Sequence, residues 1–390
     1  MKTRLSDGWF YVCLEGRVDS SNAAEVEKEI IALRETNPDG EFALDADALE
    51  YISSAGLRIL LRLRKANPTF KLINVSSEVY EVLDMTGFTE MMDIEKAYRR
   101  LSVDGCEVIG QGANGKVYRL DPDTIIKVYL NPDSLPDIQR ERELARRAFV
   151  LGVPTAIPYD VVRVGDGYGS VFELLNAKSL CKILINDPSQ LDYCVKESVA
   201  LLKTIHSTVV KPEDMPDMKQ VALGWAKDME KELPEETFKK VYSLIDAVPV
   251  DHHMMHGDYH VKNVMIQNGE SLLIDMDTLC QGNPVFEFAS IYNAYVGYGD
   301  TNHDNIASFL GIPYELAEAF WKKTLEEYFG TKDEKVLGLV EKKAMLIGFL
   351  RIMRRSIRRR GKDNEEGQKV IASAKNHIIE LAKELDTLLL

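Results

Sequence analysis

Distant fragments of this chain make chemical sense only if the fold brings them together: Gly110-Gln-Gly112-Ala-Asn-Gly115-Lys-Val117, then Ile125-Ile-Lys127, then His256-Gly-Asp258-Tyr-His-Val-Lys-Asn263 and, after it, Ile274-Asp275. A glycine-rich turn alone says little, because such turns are common. Order and spacing carry the argument. A glycine loop precedes a lysine in a β-branched run, and Asp…Asn and a second Asp follow much later.

That order is the one the kinase template requires, and each piece has a physical task in it. Phosphates of ATP must lie close to backbone with no side chains in the way. Gly110, Gly112 and Gly115 permit that approach and can turn their N–H groups toward phosphate oxygens. Val117 is expected to pack over adenine, and Lys127 to supply a point charge for the phosphates. Asp258 is expected to orient an acceptor hydroxyl and take up its proton. Asn263 and Asp275 offer hard oxygen ligands of the kind Mg²⁺ prefers. The cofactors implied are therefore ATP and Mg²⁺.

At 390 residues the chain is long for one hydrophobic core, so more than one domain is expected. Its net charge of −14 argues against a general nucleic-acid binder, which needs a basic face. The five cysteines (Cys13, Cys106, Cys181, Cys194, Cys280) are scattered and contain no C-x-x-C, as expected of reduced thiols in a cytoplasm. Asp7 and Glu15 come too early for a signal peptide, and no apolar run approaches the roughly 20 residues of a membrane helix. The expectation is a cytoplasmic protein with neither a membrane nor a nucleic-acid partner.

Residues 1–100 alternate between strand and helix patterns. Trp9–Leu14 reads as a strand and Ser20–Glu35 as a helix. A strand beginning Phe42-Ala-Leu-Asp-Ala leads into a helix from about Ser54 to Lys65. A strand over Phe70–Val75 and a helix over Ser77–Met85 follow. The segment resembles the STAS domain of anti-sigma factor antagonists, through Glu15-Gly-Arg-Val-Asp19, Tyr51-Ile-Ser-Ser54-Ala-Gly56-Leu57, Ile73-Asn-Val-Ser76 and Val82-Leu-Asp-Met-Thr-Gly-Phe88. In that family the central loop commonly reads D-S-[ST]-G-L, and a partner kinase phosphorylates its first serine. Alignment on Gly56-Leu57 makes Ser54 the phosphoacceptor, with Ser53 in place of the customary aspartate. Helix capping explains the same serines, and the two roles are compatible, since a helix N-terminus favours a phosphate. The resemblance implies a protein partner for this domain.

Residues 101–390 resemble the aminoglycoside phosphotransferase and choline kinase-like group, a branch with the protein-kinase fold. It implies an N-lobe over about 101–175 and a C-lobe from about 176 to 390. The fold expected is thus α/β (α+β): a STAS-like βα domain followed by a bilobal kinase-like domain. A helix over Pro136–Leu151 carries the glutamate expected beside Lys127. Glu141 shares a helix face with Leu144, Ala145 and Ala148 and is the choice; Glu143 is its rival. By resemblance, backbone groups of Glu173 and Leu175 bind adenine with Phe172 behind it, and Val199–His206 lies in the helix before the catalytic loop.

The loop itself follows the H-G-D-x-H-x-x-N form of small-molecule kinases, not the H-R-D-x-K of eukaryotic protein kinases, and Val261-Lys262 replaces the usual Pro-Gly. Leu272-Leu-Ile-Asp275-Met-Asp277 matches the I-D-x-[DE] metal segment rather than D-F-G. Gly282-Asn-Pro-Val-Phe-Glu287-Phe-Ala289 resembles G-x-P-x-x-D-L-A with Glu at the Asp position, and no A-P-E follows.

His252, His253, His256 and His260 invite a zinc reading, but their spacing is wrong for H-x-x-x-H and no cysteine lies among them. Arg351–Lys362 is a dense cationic run in an acidic chain. It reads either as a solvated helix face closed by Gly361, or as an anchor for an anionic substrate or a docking face for the acidic N-terminal domain. Beyond it, Glu366–Leu390 reads as an amphipathic closing helix. The function expected is phosphoryl transfer from MgATP to a hydroxyl of a small molecule, with a STAS-like regulatory domain. The alternatives are a protein kinase acting on a STAS serine, Ser54 in cis or a partner's in trans, and a non-catalytic nucleotide-binding scaffold.

Overall fold

The computed structural model describes the chain except residues 7, 38–40, 113–114 and 132–133. Asp7, and Ala113 and Asn114 of the glycine fragment, lie outside the described residues. The rest forms two compact units, Met1–Ser102 with Val161–Asp166, and Val103–Asp160 with Gly167–Leu390.

In the first unit, β1 (Thr3–Ser6), β2 (Trp9–Val18), β3 (Glu41–Ile52), β4 (Lys71–Val75) and β5 (Asp93–Lys96) form one sheet in that order. β1 runs antiparallel to β2, and the other neighbours are parallel. α1 (Ala23–Glu35), α2 (Ser54–Ala66), α3 (Ser77–Met85) and the short α4 (Phe88–Met91) lie in the crossovers. Parallel strands are covered on both faces, and β3 accordingly buries every residue from Phe42 to Ala46. Asp45 in that run is satisfied by Arg4 Nη2 at 3.2 Å, Asn74 Nδ2 at 2.9 Å and the Asp47 N–H at 3.1 Å.

α1 starts at Ala23, three residues later than expected from Asp19-Ser-Ser. Asp19 accepts from the backbone N–H of Ser21, and Asn22 accepts from that of Asp19, so local side-chain bonds hold these residues in a turn. At the start of α2, Ser53 caps the Ala55 N–H at 3.2 Å. Gly56 follows because a Cβ there would lie 2.6 Å from Ile52.

The second unit opens with β6 (Val108–Gln111), β7 (Gly115–Arg119) and β8 (Thr124–Tyr129). In sequence β9 (Pro158–Val164) comes next, with its residues from Val161 onward in the first unit, and then β10 (Gly167–Glu173). The strands wholly within the second unit pair in the order β6-β7-β8-β10, with α5 (Leu135–Val150) packed on β10. Two small sheets follow: β11 (Lys178–Ser179), β12 (Met254–Met255), β13 (Val264–Gln267), β14 (Glu270–Leu273) and β15 (Cys280–Gln281) pair as β11-β13-β14 and β12-β15. The remainder is helical. α6 (Leu180–Asn186), α7 (Leu191–Ser207), α8 (Met218–Asp228) and α9 (Glu235–Asp246) precede the catalytic loop, with Val199–His206 inside α7. α10 (Pro284–Tyr295), α11 (Asp304–Leu310), α12 (Tyr314–Phe329), α13 (Glu334–Arg358) and α14 (Glu365–Glu384) follow it.

α10 is buried along nearly its whole length, so helices must cover it on all sides, α12 and α13 among them. Gly361 does not close α13: the helix ends at Arg358, and Arg360 takes the left-handed conformation with φ 60°. Gly361 instead permits close packing, because a Cβ on it would lie 2.3 Å from Ser356 Oγ and one on Gly367 would lie 2.4 Å from Gly361. α14 ends at Glu384, six residues short of the expected Leu390. Leu385 and Leu388 leave the helix to bury themselves in the core, and Lys343 Nζ donates to the Leu389 carbonyl. All five cysteines are free thiols, and no helix among the described residues is long and apolar enough to cross a membrane.

Phe288 on α10 is fully buried, with Tyr328 at 4.9 Å and Trp321 at 6.3 Å between ring centroids. Phe288→Ala is expected to lower the stability of this unit by about 3–5 kcal/mol in urea denaturation. A loss of well under about 1 kcal/mol would contradict this packing.

Candidate active site

β8 places Lys127 directly across from Val117 on β7 and Ser170 on β10. Its ammonium reaches three carboxylate oxygens: Glu141 Oε1 at 2.9 Å, Glu141 Oε2 at 3.2 Å and Asp275 Oδ1 at 2.8 Å. Burial works against the charge, but Glu141 and Asp275 outweigh it and raise the Lys127 pKa. Glu141 is available because α5 buries the face carrying Ile138, Leu144, Ala145 and Ala148, and Glu141 lies on that face. The Tyr129 hydroxyl also donates to it. Glu143 faces outward, where Arg146 and Arg147 engage it and hold its carboxyl at about 2.

Of the three glycines, Gly115 is fixed by packing: a Cβ there would lie 2.3 Å from the Val128 carbonyl oxygen. A Cβ on Gly112 would stand in open space, and one on Gly110 would only touch Val117, so neither is required by the protein's own packing. At the far end of β10 the Glu173 N–H donates to Ile157 O at 3.0 Å and the Leu174 N–H to Asp123 O at 2.7 Å, with Leu175 next in the chain.

The catalytic loop leaves β12 through Gly257, whose φ of 79° and the Thr278 oxygen 2.5 Å from any added Cβ both demand glycine. Glu287 of α10, fully buried, accepts from the His256 N–H at 2.5 Å and the Gly257 N–H at 3.0 Å. A carboxylate with two backbone donors holds the loop as a neutral side chain could not. Tyr259 donates to Ser198 O at 2.6 Å, and the Val261 N–H donates to the Tyr295 hydroxyl at 2.9 Å. Asn263 Nδ2 donates to the Asp258 carbonyl at 3.0 Å, which leaves its amide oxygen as the end suited to a cation.

The Asp258 carboxylate is 41% exposed, with His260 Nε2 at 3.5 Å. Burial pushes its pKa up, but His260, His256 and Arg351 together pull it down to about 2, so the group is ionised at neutral pH. The Ile274 N–H donates to Asn263 O at 3.0 Å and thereby ties this loop to the next one. Asp275 then sits in the left-handed region with φ 64° and ψ 69°, a conformation that Asp tolerates better than bulkier residues do. Asp277 is pushed up to about 7, first by burial and then by the charges of Asp275 and Glu141.

No group of three or more His, Cys, Asp or Glu placed to hold a metal occurs among the described residues. The oxygens of Asn263 and Asp275 nevertheless fit Mg²⁺, which takes one or two carboxylates and completes its shell with phosphates and water. The four histidines have separate engagements: His252 with Gln281, His253 with Asp251, His256 with the Ile274 carbonyl and His260 with Asp258.

One contact of the cationic run escaped the sequence reading. Arg351 Nη1 donates to the Gly257 carbonyl at 3.2 Å and to Ser290 Oγ at 3.0 Å, so α13 braces the catalytic loop. Its place in a basic run gave no sign of that contact.

The family model described as phosphotransferase enzyme family matches residues 105–315, and the STAS domain model matches residues 1–101. BtrV of Bordetella bronchiseptica, named as an anti-sigma factor antagonist, is 35% identical over 92 residues, which cover 23% of this chain and 78% of that protein. Among solved structures, a thermostable mutant of an aminoglycoside phosphotransferase in ternary complex with AMP-PNP and hygromycin B has a TM-score of 0.50 at 12% identity, over 72% of this chain and 94% of that one. At that identity the likeness speaks for the fold alone. With more than half of its length matched by the family model, the chain belongs to the phosphotransferase enzyme family, and it carries a STAS domain ahead of that region.

Proposed function

We propose that the chain transfers the γ-phosphoryl group of ATP, with Mg²⁺, to a hydroxyl of a small molecule, and that its STAS-like domain serves regulation or a protein contact. The observation that carries this reading is the Lys127 ammonium bonded at once to Glu141 and to Asp275, beside the loop that presents Asp258 and Asn263. Gly110, Gly112, Gly115 and Val117 would cover the nucleotide, and backbone groups of Glu173 and Leu175 would hold adenine. The AMP-PNP in the solved neighbour is in keeping with ATP as donor. Asn263 and Asp275 would hold Mg²⁺, which when bound neutralises charge on the transferring phosphoryl oxygens.

Asp258 would accept the acceptor's hydroxyl hydrogen bond and orient its oxygen. A carboxylate near 2 is a weak base, which suits a loose transition state in which the proton leaves late. Asp258→Asn is expected to lower phosphoryl transfer by roughly 10²–10⁴-fold while MgATP affinity stays within a few-fold. Near-full turnover by this variant would remove Asp258 from its role.

A specific observation keeps a protein acceptor in view. Ser53 does the capping of α2, while Ser54 is exposed and its hydroxyl makes no hydrogen bond among the described residues. The absence of D-F-G and A-P-E weighs against it. Incubation with MgATP is expected to give little or no phosphate on the chain by intact-mass spectrometry. Stoichiometric incorporation within minutes, lost in both Ser54→Ala and Asp258→Asn, would favour the protein-kinase reading instead.

A further inference from the structure

Charge is unevenly settled along the end of α13. Arg354 pairs with Asp228 of α8, and Lys362 pairs with Glu232 in the turn beyond it, so both of those carboxylates are taken. Arg351 and Arg355 have no carboxylate partner among the described residues, although the chain carries 62 acidic side chains against 48 basic ones. They stand one turn apart on the same face of the helix. Like charges at i,i+4 repel, and an anion between them would reverse that penalty.

Both guanidinium groups lead back to the catalytic loop. Arg351 spends Nη1 on Gly257 and Ser290, while its other nitrogens are neither buried nor bonded to any described residue. The Trp225 ring lies 5.6 Å from its central carbon. Arg355 donates to the Tyr298 hydroxyl at 2.7 Å. Tyr298 meets Phe309 at 5.9 Å between centroids, Phe309 meets His260 at 5.1 Å, and His260 stands beside Asp258. A circuit of contacts thus runs from Asp258 through His260, Phe309 and Tyr298 to Arg355, and returns through Arg351 and Gly257. A third cation, Lys262, reaches the same Phe309, with its Nζ bonded to the Phe309 carbonyl at 2.9 Å and no carboxylate partner among the described residues.

From this placement we infer that the phosphoryl acceptor is an anion: a hydroxylated compound whose carboxylate or phosphate lies between Arg351 and Arg355 while its hydroxyl reaches Asp258. The inference rests on the phosphotransferase reading above. A planar guanidinium fork matches an oxyanion in two parallel hydrogen bonds, which fixes the distance from the anionic group to the reacting hydroxyl. In the transfer, the acceptor oxygen bonds to the γ-phosphorus as the bond to the β,γ-bridging oxygen breaks. The hydroxyl proton passes to Asp258 and ADP leaves. A cationic acceptor would have to approach three cations that have no carboxylate partners among the described residues.

Gluconate, glucitol and glucamine share a hydroxylated carbon chain and differ in charge at one end, so they test the inference with the full-length protein at fixed ionic strength. Acceptor-dependent ADP release and the thermal shift given by each compound, with and without MgADP, are both measured. Gluconate is expected to lead glucitol by about 10- to 100-fold, the range for a charge-assisted bidentate contact, with glucamine last. Arg351→Gln and Arg355→Gln should each collapse the gluconate-to-glucitol ratio, and Arg351→Lys should restore part of it. Because the ratio is taken within one variant, a general weakening of the loop cancels. Equal or reversed ranking, no response to gluconate by either readout, or an unchanged ratio in both glutamine variants would overturn the inference. Failure of MgADP itself to bind would instead count against the nucleotide reading, and the thermal-shift ranking without nucleotide still decides acceptor charge.

Discussion

The ammonium of Lys127, held between Glu141 and Asp275, is the contact on which the catalytic unit depends. It joins a strand, a helix and a loop that are far apart in sequence, and it is partly buried, with the Glu141 carboxylate almost wholly so. A buried carboxylate is tolerable only when paired and hydrogen-bonded, and Glu141 has both Lys127 and Tyr129. Removing either member would strand a charge, which is far more destabilising than replacing the pair. Burial and the neighbouring charges of Asp275 and Glu141 raise the Asp277 pKa to about 7, so a cation bound beside it would favour its ionised form.

Behind that contact the loops are fixed from the C-terminal helices. Glu287 grips the N–H groups of His256 and Gly257, and Arg351 holds the carbonyl of Gly257 from the other side. The peptide groups flanking the glycine before Asp258 are therefore clamped by an anion on their donors and a cation on an acceptor. Asp258 gains a fixed direction from its backbone and an ionised carboxylate from His260, His256 and Arg351. Precision of that kind is what orienting a hydroxyl requires, since a misplacement of about 1 Å can lose about two orders of magnitude in rate.

Much of this was legible in the sequence where local rules govern. The glycine fragment, Lys127, Asp258, Asn263 and Asp275 stand in a fixed order, and helical periodicity on the face of Leu144, Ala145 and Ala148 favoured Glu141 over Glu143. What escaped depends mostly on tertiary contacts, the start of the first helix being a local exception. Asp19 and Asn22 consume the first turn of the expected helix in their own hydrogen bonds. Leu385 and Leu388 leave a regular amphipathic pattern because burial outweighs helix propensity. Arg351 looks like any member of its basic run until folding sets it against Gly257. Glutamate at position 287 resembled a mild departure from aspartate, and only the fold reveals the two backbone N–H groups it serves.

Asp275 is proposed to bind the metal that accompanies ATP, beside the lysine that would meet its phosphates. Calorimetric titration of ATP at increasing Mg²⁺, in the wild type and in Asp275→Ala, tests it most directly. Mg²⁺ is expected to tighten ATP binding steeply in the wild type and only weakly in the variant, with transfer falling alongside. The same Mg²⁺ dependence in both proteins would contradict it and move the metal to other ligands, with Asp277 the first to examine.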